Sequence, residues 1–264
     1  MQKLQFQIQA WIQYQLRATG KHGIHSPFVY QLYEQAILPG LISSPETGKI
    51  EGLRKQLLKD SRILAVEDFG AGLGGKEIPK INRPISKIAG SSARGLKFGS
   101  LLFRLSQFLK PHSILEMGTN LGLSTLYLSK GNPNAQLMTL EGSKAIGEVA
   151  QEHFQQAHIN PTVVIGEFSS TLESIDWSRN KPDFIFVDGN HRQEPTVAYF
   201  KFLMSKAADQ AVFIFDDIHW SPGMQAAWDI IRSDTRVQVS IDLYGMGICF
   251  TGRDQAKEHF ILKF

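Results

Sequence analysis

Residues 113–125 read Ser-Ile-Leu-Glu-Met-Gly-Thr-Asn-Leu-Gly-Leu-Ser-Thr, and the reading of this stretch decides the fold. Ile114 and Leu115 look like the end of a buried strand, Glu116 and Gly118 like its exit, and Leu121 to Lys130 like the helix that follows. The sequence predicts a strand, a tight loop and a helix N-terminus. Gly118 lets the loop backbone approach a ligand, Gly122 lets the helix pack near the strand, and the N–H groups of the first turn are expected to face whatever binds. A small anionic or zwitterionic molecule suits such a loop. A plain strand-to-helix turn without a ligand carries the same signature.

The dinucleotide fingerprint Gly-x-Gly-x-x-Gly is not met. Gly118 and Gly122 are separated by Thr-Asn-Leu, and an acid, Glu116, stands just before the loop. A carboxylate repels a pyrophosphate but favours a cationic or amino-bearing ligand. The loop resembles the cofactor loop of class I S-adenosylmethionine-dependent methyltransferases. That resemblance implies that Glu116, Gly118, Thr119 and Ser124 hold the methionine end of S-adenosylmethionine.

Composition sets the outer bounds. The 264 residues allow one large domain or a domain with an extension, and 42% apolar with 20% charged residues fits a globular core. Lys plus Arg 28 against Asp plus Glu 25 gives +3, too mild to indicate nucleic acid. The single cysteine, Cys249, excludes an internal disulfide and fits a reducing compartment. No stretch reaches membrane-span length without charge, and the N-terminus does not read as a signal peptide. A cytoplasmic protein without membrane or nucleic-acid partners is expected.

From Met1 to about Asp60 the signals are helical. Leu4, Ile8, Trp11, Ile12 and Leu16 are spaced for one helix face. Ser26 is placed to cap, and Pro27 to open, a helix running to Ile37 that Pro39-Gly40 ends. His22 and His25 read as loop residues rather than metal ligands. A short helix around Ile50 to Lys59 completes an extension whose apolar faces must cover the rest of the chain or a second subunit, so a homodimer through the N-terminal helices is one expectation. Residues Ile63 to Gly75 imitate a cofactor loop, but Pro79 and Pro84 follow and no sustained helical periodicity does. The expectation is a mobile connection. Between Gly70 and Gly99, Lys76, Lys80, Arg83, Lys87, Arg94 and Lys97 face Glu77 alone. This segment reads as a solvated loop, or as a lid that attracts an acidic small-molecule substrate. The domain reading is therefore a helical extension and mobile basic loop over 1–95, and a methyltransferase domain over 96–264.

From Leu96 the pattern is regular. Leu101, Leu102, Leu105, Phe108 and Leu109 define an amphipathic helix that Lys110-Pro111 stops. Strand-like runs at Gln136 to Leu140, Thr162 to Ile165, Phe184 to Val187 and Ala211 to Phe215 alternate with helices beginning near Ser143, Ser169 and Pro195 and after Trp220. Val237 to Ile241 and Gly245 to Phe250 form a closing hairpin. The fold class is α/β: a Rossmann-like doubly wound sheet, mostly parallel, with an antiparallel C-terminal strand and an N-terminal helical extension.

In an open parallel sheet, ligands bind beyond the carboxyl ends of the strands. There stand Glu141, spaced to accept ribose hydroxyls, and Gly166-Glu167-Phe168, which the resemblance places around an adenine. Asp188 ends Phe-Ile-Phe-Val-Asp, and Asp216-Asp217 end Phe-Ile-Phe-Asp-Asp. Carboxylates directly after buried strands need partners. Three such acids suit a hard divalent cation such as Mg2+, or else bind substrate or the cofactor, Asp188 in particular.

The chain from about Leu96 to Phe264 resembles the metal-dependent small-molecule O-methyltransferases of the catechol and caffeoyl-coenzyme A type. The resemblance implies metal ligands at Asp188, Asp216 and Asp217, but with Asp where that group has Asn in the pair. It also implies a general base at His191, where that group has lysine. An imidazole can take a hydroxyl proton near neutral pH, or merely bridge to Asp188 or cap the next helix. His219 and Trp220 are candidate wall residues. His-Ser-Pro-Phe-Val and Glu-Asp-Phe-Gly-Ala-Gly also resemble features of a bacterial set of methyltransferases with no established substrate. Alternatives within reach of the sequence are a metal-independent methyltransferase of the same fold, a nicotinamide oxidoreductase, which Glu116 and the missing middle glycine disfavour, and a noncatalytic adenosine-ligand-binding scaffold.

Overall fold

The computed structural model describes residues 2–39, 44–67, 79–92, 95–179 and 181–264. The helices are α1 (Gln2–Arg17), α2 (Pro27–Leu32, extended by a π-turn to Ile37), α3 (Pro45–Leu57), α4 (Ile85–Ser92), α5 (Leu96–Leu109), α6 (Leu123–Gly131), α7 (Lys144–Gln156), α8 (Phe168–Ser174), α9 (Gln193–Met204) and α10 (Pro222–Ser233). The strands are β1 (Ile63–Glu67), β2 (Lys80–Pro84), β3 (Ser113–Met117), β4 (Gln136–Glu141), β5 (Thr162–Ile165), β6 (Phe184–Val187), β7 (Val212–Asp216), β8 (Val237–Asp242), β9 (Met246–Thr251) and β10 (Glu258–Ile261).

The main sheet has the order β10-β8-β9-β7-β6-β3-β4-β5. β4 pairs parallel with β5, β6 with β7, and β10 with β8, while β9 is antiparallel to both of its neighbours. The strand order reverses at β3, as a doubly wound sheet requires. The expected closing hairpin is β8–β9, but the antiparallel strand is not the last one. β10 follows it and adds to the sheet edge beside β8.

Two compact units make up the chain: Met1–Leu38, His112–Leu115 and Asp176–Phe264 form one, and Pro39–Pro111 with Glu116–Ile175 form the other. In the first, the fully buried side chains of Phe184, Phe186, Phe213 and Phe215 on β6 and β7 supply the core. Four-residue apolar runs buried on both faces are what parallel central strands demand. Ser26 caps α2 by accepting the Val29 amide, with Pro27 in the first turn, as the sequence predicts. The N-terminal helices are tied to the residues just after the last strand of the same unit, because Tyr14 donates to the Leu262 carbonyl at 2.6 Å and Tyr33 to that of Lys263 at 3.1 Å.

In the second unit α3 begins earlier than its apolar pattern suggests, at a capping box in which Ser44 and Thr47 satisfy each other's backbone amides. The segment expected to be a mobile connection is ordered where it is described. β1 and β2 form an antiparallel pair with Glu67 opposite Lys80, and α4 follows. Ile85, Ile88 and Ala89 of α4 pack in a buried cluster with Leu57, Leu121, Ile146 and Val149. Residues 68–78 and 93–94 of the expected loop or lid lie outside the described residues. Among the described residues no helix is long and apolar enough to cross a membrane.

Candidate cofactor loop and acid cluster

The loop between β3 and α6 belongs to the second unit, and its backbone could not be built from other residues. Gly118 and Gly122 have φ of 104° and 84°, and Asn120 has 49°. A Cβ on Gly122 would come within 2.5 Å of the Phe154 ring. Glycine at 122 therefore serves both the left-handed turn and the close approach of α7. The helix begins at Leu123, two residues later than its apolar pattern suggests.

The amides of the loop ahead of the helix are taken up within the protein. Those of Gly118 and Thr119 donate to the Leu140 carbonyl at 2.9 and 3.0 Å, and that of Gly122 to the Thr119 carbonyl at 2.9 Å. The amide of Asn120 donates to the Glu141 carboxylate at 2.8 Å, and that of Leu121 to the Asn120 side chain at 2.7 Å. The protein itself fixes the loop, leaving side chains as its chemistry.

Glu116 is the main one. It is 0% exposed. Its Oε2 accepts from the hydroxyls of Thr125 and Thr139, while Oε1 is buried without a hydrogen-bond partner. Burial pushes its pKa up to about 7, although the hydroxyls of Ser124, Thr125 and Thr139 pull the other way. The hydroxyl of Thr119, another expected cofactor residue, is buried 2.6 Å from that of Thr139. It steadies the threonine that holds Glu116. The one signal of this network in the sequence is Thr139, a polar residue in the apolar strand Gln136–Glu141.

Glu141 ends β4 as expected. One carboxylate oxygen accepts the Asn120 amide and the other that of Ser143, at 2.9 Å. Burial raises its pKa, opposed by these amides. Ser143 in turn donates to Glu67 at 2.5 Å, so the end of β1 is linked to the same acid. Gly166 donates its amide to the Glu141 carbonyl at 2.9 Å. Glu167 caps α8, accepting the Ser170 amide at 3.0 Å and the Ser169 hydroxyl at 3.1 Å. Burial pushes its pKa up, but these hydrogen bonds outweigh it and the net shift is downward. Its carboxylate is engaged by these capping contacts, and Phe168 beside it is half-buried.

The acids after β6 and β7 belong to the first unit. His191 Nε2 stands 3.5 Å from Asp188 and 3.9 Å from Asp217, within ion-pair range of both. Asp217 has a left-handed φ of 59°, and its amide donates to the Gly245 carbonyl at 2.8 Å. Asp216, the last residue of β7, is buried. Among the described residues no group of three His, Cys, Asp or Glu side chains is arranged to hold a metal ion. Asp188, Asp216 and Asp217, the expected metal set, are not gathered into such a group. An imidazole lies between two of its members, and the third is buried on the strand. His191 does not cap α9, whose N-cap is Arg192.

His219, read as a wall residue, is paired with Asp242 at 2.8 Å and stacked on Tyr244. Trp220 lies under the Lys3 ammonium, 3.3 Å from its ring centre. Neither Asp242 nor Tyr244 was legible as a partner, because the hairpin that brings them back is distant in sequence.

Residues 115–218, from β3 to just past β7, match a family model described as a methyltransferase domain. The matched stretch is thus similar to a methyltransferase domain, in keeping with what the glycine loop implied. Over 134 residues the chain is 30% identical to a catechol O-methyltransferase of Mycobacterium tuberculosis, a match covering 50% of this chain and 59% of the relative. It is 28% identical over 124 residues to a catechol O-methyltransferase of Niastella koreensis, covering 46% and 55%. The matched part thus takes in little more than half the length of these relatives. Among solved structures, an O-methyltransferase from Bacillus cereus in complex with S-adenosylhomocysteine shares the fold with a TM-score of 0.55 at 18% identity, covering 86% of this chain and 97% of that one. An S-adenosylhomocysteine-bound methyltransferase from Podospora anserina does so with a TM-score of 0.58 at 15% identity, covering 88% and 98%.

Proposed function

We propose that this protein transfers the methyl group of S-adenosylmethionine to a hydroxyl of a small molecule, without a metal ion in the acceptor site. The observation that carries the reading is Glu116, a fully buried carboxylate with one oxygen lacking a partner beside a left-handed glycine loop. Such an atom costs free energy unless a ligand supplies a donor. An ammonium is the donor a carboxylate favours most, and the methionine end of the cofactor carries one.

When bound, S-adenosylmethionine supplies an electrophilic methyl on a sulfonium. Glu116, with Ser124 on the first turn of α6, holds the amino-acid end. Each Glu141 oxygen already takes one amide and keeps a lone pair for a ribose hydroxyl. Gly166 and Phe168 border the adenine. In the first unit, His191 takes the proton of the acceptor hydroxyl. Asp188 and Asp217 favour the imidazolium that results, as a carboxylate does in an acid–imidazole pair. Magnesium is a poor fit, since His191 stands where two of its ligands would converge. No step is assigned to it.

The acceptor is best sought among hydroxylated aromatics, since catechol stands in the names of both relatives. The basic residues Lys80, Arg83 and Lys87 favour an acidic one. A cytoplasmic setting suits a chain whose one cysteine is a buried free thiol. Leu4, Ile8, Trp11, Ile12 and Leu16 are 46–81% exposed along one face of α1, and we infer self-association through that face. The test of function is labelled methyl transfer to catechol, 3,4-dihydroxybenzoate and caffeate, with and without EDTA. Transfer that survives the chelator is expected. S-adenosylhomocysteine binding without turnover on any acceptor would favour a noncatalytic scaffold, and turnover abolished by EDTA and restored by magnesium would refute the metal-free reading.

A further inference from the structure

Helices α3, α6 and α7 of the second unit line an open pocket of about 420 Å3, a size typical of small-molecule sites, that the proposed methyl transfer does not use. We propose that it binds a small carboxylate with an apolar, hydroxyl-bearing body, and that the cofactor loop responds to its occupancy through His153.

The chemistry of the walls defines the ligand. Ile50 and Leu126 are buried and provide an apolar floor. Lys49 and Lys130 bring two ammonium groups against the single acid Glu46. Lys49 enters no ion pair among the described residues, and Lys130 gives one hydrogen to the Ala157 carbonyl at 2.8 Å, which leaves it two donors. An anionic head group is the complement of that pair.

His153 is the second determinant, lining the cavity while only 4% exposed. Its Nδ1 lies 2.9 Å from the Leu121 carbonyl, so Nδ1 carries the hydrogen and Nε2 is left as an acceptor. The one hydrogen bond of the ring among the described residues is that from Nδ1, with Asp60 near enough to act on the ring electrostatically, and a ligand hydroxyl would give Nε2 a hydrogen-bond partner. Gly52 also lines the cavity, and a Cβ added there would meet no atom within 4 Å. Glycine inside a helix is unfavourable relative to alanine, and here the packing of the chain does not require it. Its effect is to leave room.

The link to the loop is short. His153 grips Leu121, which lies between Asn120, held by Glu141, and Gly122, packed on Phe154. A ligand that orders His153 orders the loop, so ligand and cofactor should each tighten the other. This coupling rests on the cofactor reading of the loop, whereas the cavity does not.

The probe is 8-hydroxyoctanoate, titrated calorimetrically into the full chain without cofactor, with octane-1,8-diol as the uncharged comparison. Saturable binding with a Kd below about 1 mM is expected, with the diol weaker by about tenfold or more. Gly52→Leu, which fills open space and whose fold is checked by thermal melting, should weaken the probe by about tenfold, and Lys49→Gln should remove the preference over the diol. Saturating probe should lower the Kd of S-adenosylhomocysteine by about threefold or more, an effect absent in Gly52→Leu. No saturable binding, or binding indifferent to Gly52→Leu, overturns the site. Probe and S-adenosylhomocysteine that bind without affecting each other overturn the coupling. Binding of the probe without S-adenosylhomocysteine leaves the cavity standing and removes the cofactor reading, and the converse removes this inference alone.

Discussion

Glu116→Gln removes a charge that the folded chain holds at a cost. With its pKa at about 7 against an ordinary 4.5, the folded state keeps this proton while the unfolded chain has already lost it. Between those values the folded state binds more protons, so stability falls as pH rises, and above about 7 the loss is complete. At about 1.4 kcal/mol per pH unit of displacement, the wild-type protein should lose about 2–3 kcal/mol between pH 5 and pH 8 through this residue. The glutamine variant should not. Thr125 and Thr139 can still donate to the amide oxygen, but the amide NH2 would take the place of the unpartnered Oε1, and a buried amide hydrogen left without an acceptor costs about 1–3 kcal/mol. The informative quantity is therefore the pH slope rather than the stability at one pH. Urea unfolding of both proteins at pH 5 and pH 8 gives the slopes, and calorimetry gives the affinity for S-adenosylhomocysteine. Loss of a charge-assisted hydrogen bond should weaken that affinity by about 10–100-fold. Equal slopes in the two proteins together with equal affinities would refute the reasoning.

Three further outcomes follow from the same geometry. His191→Gln should lower kcat by about 100-fold or more while leaving the acceptor KM within about threefold, and should flatten the rising limb of the pH–rate profile; a kcat within tenfold of wild type would remove the base assignment. Gly122→Ala forces a side chain into the left-handed region and against Phe154, which should cost about 2–4 kcal/mol and lower Tm by roughly 5–10 °C, and an unchanged melting curve would contradict the reading. Trp11→Glu should convert a dimer to a monomer in sedimentation velocity with little change in Tm, and a wild-type protein monomeric at about 100 μM would sink the self-association proposal.

How far the fold could be read from the sequence depended on how local its causes are. β6 begins and ends where its apolar run does, because a central parallel strand is buried on both faces, and the edge strand β5 coincides with its β-branched run although its ends are exposed. β2 and β10 were missed. Lys80-Ile-Asn-Arg-Pro and Glu258-His-Phe-Ile have no apolar run of their own and exist because β1 and β8 offer them a pairing edge. The start of α3 was written in the Ser44–Thr47 capping box rather than in hydrophobic spacing.

The same division holds at the site. Glu116, Gly118 and Gly122 announce themselves by type and spacing. What Glu116 rests on, Thr125 and Thr139, is set by the packing of β4 and α6 around it. Asp188, Asp216 and Asp217 are equally visible at their strand ends, but whether they converge depends on side-chain directions. The insertion of His191 between Asp188 and Asp217 could not be read from order along the chain. At Glu167 an acid just before a helix serves as its cap, a role the residue type announces as readily as a binding one.

The measurement that bears most directly on the cofactor loop is a crystal structure of the protein grown with S-adenosylhomocysteine. The expected result is the ligand's ammonium nitrogen about 3 Å from Glu116 Oε1, with its ribose hydroxyls on Glu141. A nucleoside bound elsewhere, or a Glu116 oxygen still without a donor when the ligand is in place, would contradict the assignment of this loop to the cofactor.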